Sequence, residues 1–202
     1  NYTDRLKENW NKIIDDKDYV VIAGDISWAM NFDELKADFD YINQLNGKKI
    51  ILKGNHDYWW NTMSKMNKFI EENNFNTISI LHNNAFDFDD FSVCGSRGWF
   101  FDSDEEQNEK VLNREVMRIK ASIESALNCE KIVFLHYPPV YENQCCEEIV
   151  SLLKEKGIKK CYYGHIHGVA AKYAFDDNYD GIDFKLISAD RLNFMPLLIK
   201  KF

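Results

Sequence analysis

The chain has 202 residues, enough for one folded domain with a sizeable core. Its hydrophobic fraction of 45% and aromatic fraction of 14% indicate a packed globular protein and exclude a disordered one. The 33 acidic residues outnumber the 25 lysines and arginines and give a net charge of −8, which argues against a general nucleic-acid binder. A negatively charged chain can still act on a phosphorylated substrate, because bound metal ions reverse the local charge.

The first half of the chain alternates apolar strands with amphipathic helices. The apolar run 19–23 predicts a buried strand. Apolar residues at helical spacing then predict a helix over 35–45, with Asp33 as its cap. The run 49–52 predicts a second buried strand, and a helix follows over 63–70.

The middle of the chain changes character. The runs 77–81 and 91–94 flank a turn-rich stretch, which predicts an antiparallel hairpin. The pattern then returns to helix, strand, helix and strand, at 112–126, 131–135, 149–153 and 160–163. Strand-like runs close the chain at 170–175, 183–187 and 197–199. This order predicts an α/β fold in which two stacked sheets are flanked by helices.

The chain carries no sign of membrane insertion or disulfide bonding. No apolar run approaches the roughly 20 residues that span a bilayer, and no signal-peptide pattern opens the chain, so we expect a cytoplasmic protein without a membrane partner. The five cysteines form no C-x-x-C pair, which favours reduced thiols over a disulfide framework or a thiolate zinc site. Cys94 and Cys161 lie in apolar runs and are expected to be buried.

Polar residues follow four predicted strands at the point where each strand ends. They are Gly24-Asp25, Gly54-Asn55-His56-Asp57, His136 and Gly164-His165-Ile166-His167. Because loops at the carboxyl ends of strands in an open α/β sheet meet in one crevice, we expect these side chains to lie together. Asp, Asn and His offer oxygen and imidazole ligands, which suit manganese, iron or zinc.

Each of these residues also has a plainer interpretation. Gly24-Asp25 alone is typical of a turn after a strand, and Asn55 is typical of a turn residue with positive φ. His136 alone is typical of a buried core histidine. His165 and His167 are harder to explain singly, because residues i and i+2 of an extended segment face the same side. If every plain interpretation were correct, these residues would reach the same edge of the sheet by chance. Their shared position therefore favours a metal site.

These motifs resemble those of the calcineurin-like metallophosphoesterase superfamily, in the order G-D, G-N-H-D, H and G-H-x-H. Trp28 and the run 58–60 resemble a bacterial subgroup of phosphohydrolases. The resemblance implies a four-layer sandwich of two mixed β-sheets flanked by helices, with two divalent metal ions (Mn, Fe or Zn). It also assigns ligands: Asp25 bridges both metals, Asn55, His136 and His165 complete one site, and His167 serves the other.

One family motif is missing. The D-x-H motif, which follows the family's first strand, occurs nowhere in this chain, so the second metal keeps only Asp25 and His167. The first strand would be missing with it. Since the chain begins at Asn1 rather than Met, we expect a single metallophosphoesterase domain over 1–202 that is incomplete at its N-terminus.

The resemblance further implies hydrolysis of a phosphomonoester or phosphodiester by a metal-activated hydroxide, with a phosphorylated small molecule or a nucleotide as substrate. His56 would protonate the leaving group or stabilise the transition state. Asp57 would either orient His56 or cap a helix. Arg97 follows a predicted strand, where it would either grip a substrate phosphate or lie exposed in a surface loop.

Two other function classes compete with a phosphoesterase. One is a non-catalytic interaction module that retains the fold, and the presence of His56 beside Asp57 argues against it. The other is a structural metal-binding protein, which is disfavoured because closed structural sites rarely use bridging Asp and Asn ligands.

Overall fold

The computed structural model describes residues 2–99 and 109–201. Its α-helices are α1 (Tyr2–Ile13), α2 (Phe32–Asn43), α3 (Met63–Glu72), α4 (Glu109–Ser125) and α5 (Glu147–Glu155), and a 3₁₀ helix covers Gly168–Tyr173. The strands are β1 (Tyr19–Ile22), β2 (Lys48–Ile51), β3 (Ile78–Ile80), β4 (Phe86–Asp87), β5 (Phe91–Ser96), β6 (Glu130–Leu135), β7 (Val140–Tyr141), β8 (Gln144–Cys145), β9 (Lys160–Tyr163), β10 (Asn178–Tyr179) and β11 (Ile182–Leu186). No described helix is both long enough and apolar enough to span a bilayer.

The described strands form two large sheets and one small hairpin. The first sheet has the order β1-β2-β3 and is parallel throughout. The second has the order β10-β11-β9-β6-β5-β4, with four parallel central strands and an antiparallel strand at each edge. Strands β7 and β8 form the separate hairpin. The carboxyl ends of the parallel strands in each sheet therefore lie along one edge, which positions the site.

Apolar side chains join the two sheets face to face. Ile50 and Leu52, in and just after β2, pack in one cluster with Val93 of β5 and Ile132 and Phe134 of β6. Buried on both faces, these strands consist of nearly continuous apolar runs, as the sequence pattern indicated.

Helices cover the two outer faces. Leu35 and Phe39 of α2 and Met66 of α3 pack against Ile51 and Ile78 of the first sheet. In the same way, α4 and α5 cover the second sheet, in a cluster that includes Ile119, Ile149, Val133 and Cys161. The layers are therefore helix, sheet, sheet and helix, which confirms the predicted α/β class. Cys94 and Cys161 are fully buried, as predicted, and all five cysteines are free.

Four local predictions were wrong. The runs 77–81 and 91–94 do not pair as a hairpin: β3 joins the first sheet, and β5 pairs with β4 and β6 in the second. The run predicted as a strand at 170–175 is mostly 3₁₀ helix, and the described structure has no strand at 197–199. Helix α2 is capped by Asn31, whose side chain accepts the Glu34 N–H, and not by Asp33.

A cleft of about 1020 Å³ lies beside β1, which is an edge strand of the described first sheet. Its walls are largely apolar and include β1 together with Val93 and Phe134 of the second sheet. His136, His165 and His167 also line it. The cleft thus connects the space between the sheets with the edge where the strands end.

Candidate metal centre

Four loops bring the predicted ligands together at the carboxyl ends of β1, β2, β6 and β9. One ligand atom from each of Asp25, His136 and His165 lies within 4.8 Å of the others. Asn55 joins them, since its Oδ1 lies 2.7 Å from Nε2 of His136 and 3.1 Å from Nδ1 of His165. The structure thus gathers four of the five predicted metal ligands around one point.

The position of His136 follows from the pairing of β6 with β9. Leu135 and Tyr163 are register partners at the ends of these parallel strands, so the residues that follow them emerge side by side. The Gly164 N–H lies within hydrogen-bond distance of both the Leu135 and His136 carbonyls, at 3.2 and 3.1 Å. This pairing holds the His165 loop against His136.

The imidazole of His136 is oriented as metal-binding histidines are. Its Nδ1 lies 2.8 Å from the Ala23 carbonyl, which accepts the Nδ1–H and so leaves an unprotonated Nε2. That nitrogen faces the Asn55 oxygen at 2.7 Å and Oδ2 of Asp25 at 3.5 Å.

Burial lowers the pKa of His136 to about 4, so the ring is neutral near pH 7 and carries only one proton. The Nε2 lone pair and the oxygens of Asn55 and Asp25 then face one another as acceptors, with no proton between them. A divalent cation satisfies all three at once, and carboxylate, amide oxygen and imidazole are ligands that manganese, iron and zinc accept. The residues present therefore fit a metal ion.

Two of these candidate ligands are held in the left-handed backbone region. Asp25 has φ of 55° and His165 has φ of 66°, which are uncommon for residues with side chains and cost about 1–3 kcal/mol each when strained. Close packing also holds the loop that carries Asp25 in place. A Cβ added to Gly54 would lie 2.0 Å from Oδ1 of Asp25, and one added to Gly24 would lie 2.5 Å from the Gly54 nitrogen. Only glycine allows the two loops to approach this closely.

Asp57 is fully buried and holds these two loops together. Its carboxylate accepts five N–H groups, from the backbones of Asp25, Ile26, Ser27 and Gly54 and from the Trp59 indole. Burial raises the pKa of its carboxyl, while the backbone N–H groups act in the opposite direction. This role differs from both sequence predictions. The carboxylate is directed at backbone N–H groups and the Trp59 indole and not at the His56 ring, and the cap residue of α3 is Thr62.

His56 lies beside the group of candidate ligands (Asp25, Asn55, His136 and His165) and is held by three contacts. Its backbone N–H donates to Oδ1 of Asp25 at 2.9 Å. Its Nδ1 lies 3.0 Å from the Tyr58 hydroxyl. The indole of Trp28 stacks on its ring, with centroids 4.2 Å apart and planes 10° from parallel. Neither aromatic contact could be predicted from the sequence, although Trp28 and Tyr58 lie beside the motifs.

The remaining two predicted site residues lie outside the ligand group. His167 is exposed at the start of the 3₁₀ helix and lines the same cleft. Arg97 is partly buried rather than exposed, with Nη2 4.0 Å from Oε1 of Glu115 and Cζ 5.7 Å from the Tyr137 ring centroid. The Arg97 carbonyl accepts the N–H groups of His136 and Tyr137, so this loop helps to fix the His136 backbone.

The arrangement of these motifs agrees with the comparison to known families. Residues 1–169 match the model of the calcineurin-like phosphoesterases. The chain belongs to this family. Membership implies hydrolysis of a phosphoester bond, and the family binds divalent metals, for which Asp25, His136 and His165 are candidate ligands in this chain.

Solved structures support the same fold. One crystal structure is 13% identical with a TM-score of 0.61, and the match covers 90% of this chain and 82% of the other. The phosphopantetheinyl hydrolase of Mycobacterium tuberculosis is 16% identical with a TM-score of 0.51, and the match covers 86% of this chain and 79% of the hydrolase. At these identities the likeness shows the fold alone. No curated protein gave a significant match.

Proposed function

We propose that the chain hydrolyses a phosphomonoester or phosphodiester with the help of divalent metal ions. Asp25, Asn55, His136 and His165 hold one ion, and Asp25 and His167 contribute to a second. One observation carries the proposal: the Asn55 oxygen lies 2.7 Å from a buried imidazole nitrogen whose other nitrogen is already committed to the Ala23 carbonyl. A cation is the partner that this group of acceptors requires.

The chemistry divides between the metal and the chain. Bound divalent metal supplies an electrophile for phosphate oxygens and lowers the pKa of a coordinated water toward about 7. The chain supplies the geometry, because Asp57 ties the loops that carry Asp25 and Asn55, and the Ala23 carbonyl orients His136. These contacts exist before substrate arrives, so little reorganisation is needed during the reaction.

His56 is proposed to protonate the leaving oxygen. Its backbone N–H is bonded to Asp25, which places its ring beside the metal ligands without making it one of them. A positioned general acid typically contributes 10²–10⁴-fold to the rate. His56 would therefore act on the leaving oxygen, while Asp25, Asn55, His136 and His165 would hold the metal.

The substrate is proposed to be a phosphorylated small molecule or a nucleotide, with Arg97 contributing to phosphate binding. The Arg97 guanidinium carries a positive charge and lies 4.0 Å from the buried carboxylate of Glu115, which also pairs with Arg118. Arg97 also lies over Tyr137, whose ring packs against His165 with centroids 4.6 Å apart. This places the positive charge next to the proposed metal centre.

The experiment is a hydrolysis assay on the manganese-loaded chain with p-nitrophenyl phosphate and bis(p-nitrophenyl) phosphate. The wild type should release nitrophenol from at least one of them, and Asn55→Ala should reduce the rate by about 100-fold or more because a ligand is lost. The matched control is Asn76→Ala, at an exposed asparagine far from the ligands in sequence. Full metal binding without hydrolysis of either ester would contradict the proposal and favour a non-catalytic interaction module.

A further inference from the structure

Trp28 is one of the most exposed large apolar side chains of the described structure, at 68% exposure, although the loop that carries it is firmly anchored. The backbone N–H groups of Asp25, Ile26 and Ser27 all donate to Asp57. The Ser27 hydroxyl also bonds to Asp38 and accepts the Ala29 N–H. A rigid loop that leaves a tryptophan largely exposed needs an explanation other than core packing.

The Trp28 ring is placed against His56. The two rings stack nearly parallel at 4.2 Å, and the indole also meets the Tyr58 ring edge-on, with centroids 6.4 Å apart. Tyr58 is 48% exposed, yet its hydroxyl lies 3.0 Å from Nδ1 of His56. The stack restricts rotation of the imidazole, and the hydroxyl selects which edge of the ring faces away from Tyr58.

We propose that Tyr58 and Trp28 are positioning residues for His56, with the Tyr58 oxygen accepting the Nδ1–H so that Nε2 is the nitrogen that exchanges a proton with substrate. This inference rests on the proposed function. Since Asp57 is bonded to backbone N–H groups, the Tyr58 hydroxyl does the orienting that a carboxylate performs in other histidine sites.

The proton balance follows from this tautomer. In the acid form both ring nitrogens carry protons, with Nδ1–H directed to Tyr58 and Nε2–H available to substrate. As the bond between phosphorus and the leaving oxygen breaks, that oxygen takes the Nε2 proton, and water supplies the oxygen that joins phosphorus. The imidazole is left neutral with its proton on Nδ1, still bonded to Tyr58.

The kinetic test compares two monoesters that differ in their need for a proton. The leaving group of phenyl phosphate departs poorly as an anion, whereas that of 2,4-dinitrophenyl phosphate departs readily without protonation. On the metal-loaded full chain, Tyr58→Phe should lower kcat for phenyl phosphate roughly tenfold, the effect of losing one hydrogen bond to a charged group. It should change kcat for the dinitrophenyl ester less than about twofold and leave KM for both unchanged.

Substitution of Trp28 should show the same selectivity. Trp28→Ala frees the imidazole and should lower kcat for phenyl phosphate several-fold, while Trp28→Phe keeps a ring to stack on and should stay near the wild type. The matched control for the hydroxyl is Tyr173→Phe, at an exposed tyrosine on the 3₁₀ helix.

A second readout uses the metal-free chain and involves no catalysis. Long-range ¹H–¹⁵N NMR spectra at pH 9, where an ordinary histidine is neutral, report which ring nitrogen carries the proton. The wild type should show His56 protonated on Nδ1, and Tyr58→Phe should move it to Nε2 or to a mixture, with the other histidine signals unchanged.

Several results would overturn the inference. Equal loss of kcat on both esters would indicate a structural role, and a raised KM with unchanged kcat would assign the aromatic pair to substrate binding. An Nε2-protonated His56 in the wild type would mean that Tyr58 donates its hydroxyl proton. If the wild type hydrolyses neither monoester nor the diester bis(p-nitrophenyl) phosphate, the proposed function fails instead, and the NMR result still decides whether Tyr58 positions His56.

Discussion

Replacing Asp57 by Asn tests whether one buried carboxylate holds the two ligand loops together. The two side chains have nearly the same shape, so the change removes hydrogen-bond acceptors without creating a cavity. Oδ2 accepts the N–H groups of Asp25 and Gly54 at 2.8 and 2.7 Å, and Oδ1 accepts those of Ile26, Ser27 and Trp59 at 2.9, 3.2 and 3.1 Å.

An asparagine at position 57 has one oxygen and one NH₂ group. In its better orientation the oxygen keeps the three donors on the Oδ1 side, and the NH₂ then faces two buried N–H groups that lose their acceptor. Each buried donor left unsatisfied costs about 1–3 kcal/mol, so we expect Asp57→Asn to lower the free energy of unfolding by about 2–6 kcal/mol. Because burial already disfavours the charge on Asp57, the loss comes from the unsatisfied donors and not from neutralisation.

Urea denaturation of the metal-free protein measures this loss, and an unchanged m-value would show that the two proteins expose the same surface on unfolding. Asp89→Asn, at an exposed aspartate, is the matched control and should stay within about 0.5 kcal/mol of the wild type. A loss below about 1 kcal/mol for Asp57→Asn would refute the reasoning, because it would mean that the five hydrogen bonds do not hold the loops.

Three further predictions follow from particular contacts. Gly54→Ala should weaken manganese binding at least tenfold in a calorimetric titration, since its Cβ would lie 2.0 Å from Oδ1 of Asp25, whereas Gly157→Ala, in open space, should not. Burial lowers the pKa of Lys49 to about 8, so the unfolded chain binds more protons above that pH. Unfolding free energy should therefore rise by about 1.5 kcal/mol between pH 8 and 9.5 in the wild type relative to Lys49→Met; an equal pH dependence would contradict this. With an aromatic disulfide reagent, exposed Cys129 should react first, and fast reaction of the three buried cysteines in the native state would contradict the packing of the second sheet.

Much of the candidate site could be predicted from the sequence, because it depends on a general property of parallel sheets. Asp25, Asn55, His136 and His165 each follow an apolar run, and the loops at the carboxyl ends of parallel strands converge whatever lies between them. Gly24, Gly54 and Gly164 directly precede three of these residues, and the structure places Gly24 against Gly54. Local sequence patterns were sufficient to predict these residues, because parallel strands bring their carboxyl ends together whichever side chains they carry.

Two of the errors concern partners that are distant in sequence. β3 and β5 are both apolar and close in the chain, which favoured a hairpin, but each buries its apolar residues better as the neighbour of a parallel strand in a different sheet. Three of the five N–H groups that Asp57 accepts come from residues about 30 positions earlier, so the sequence around Asp57 does not reveal its role. Contacts between residues that are distant in the chain produce no periodic pattern in the sequence and so cannot be predicted from it.

The aromatic residues near His56 show a similar limit. The sequence places Trp28 and Tyr58 beside the motifs but does not indicate what their side chains contact. Trp59, the next residue, is 2% exposed and packs on Phe39 of α2, so neighbours of the same chemical class have different roles. The Trp59 indole N–H donates to buried Asp57, whereas the Tyr58 hydroxyl lies 3.0 Å from Nδ1 of His56.

The central claim is that Asp25, Asn55, His136 and His165 hold a metal ion that hydrolysis requires. The most direct measurement is a titration of the metal-free full chain with manganese, following metal binding by calorimetry and nitrophenol release from an aryl phosphate in the same samples. Hydrolysis should appear in proportion to occupancy, and binding and hydrolysis should be lost together in His136→Ala. Hydrolysis that persists in excess chelator, or manganese binding by His136→Ala as tight as that of the wild type, would contradict the account.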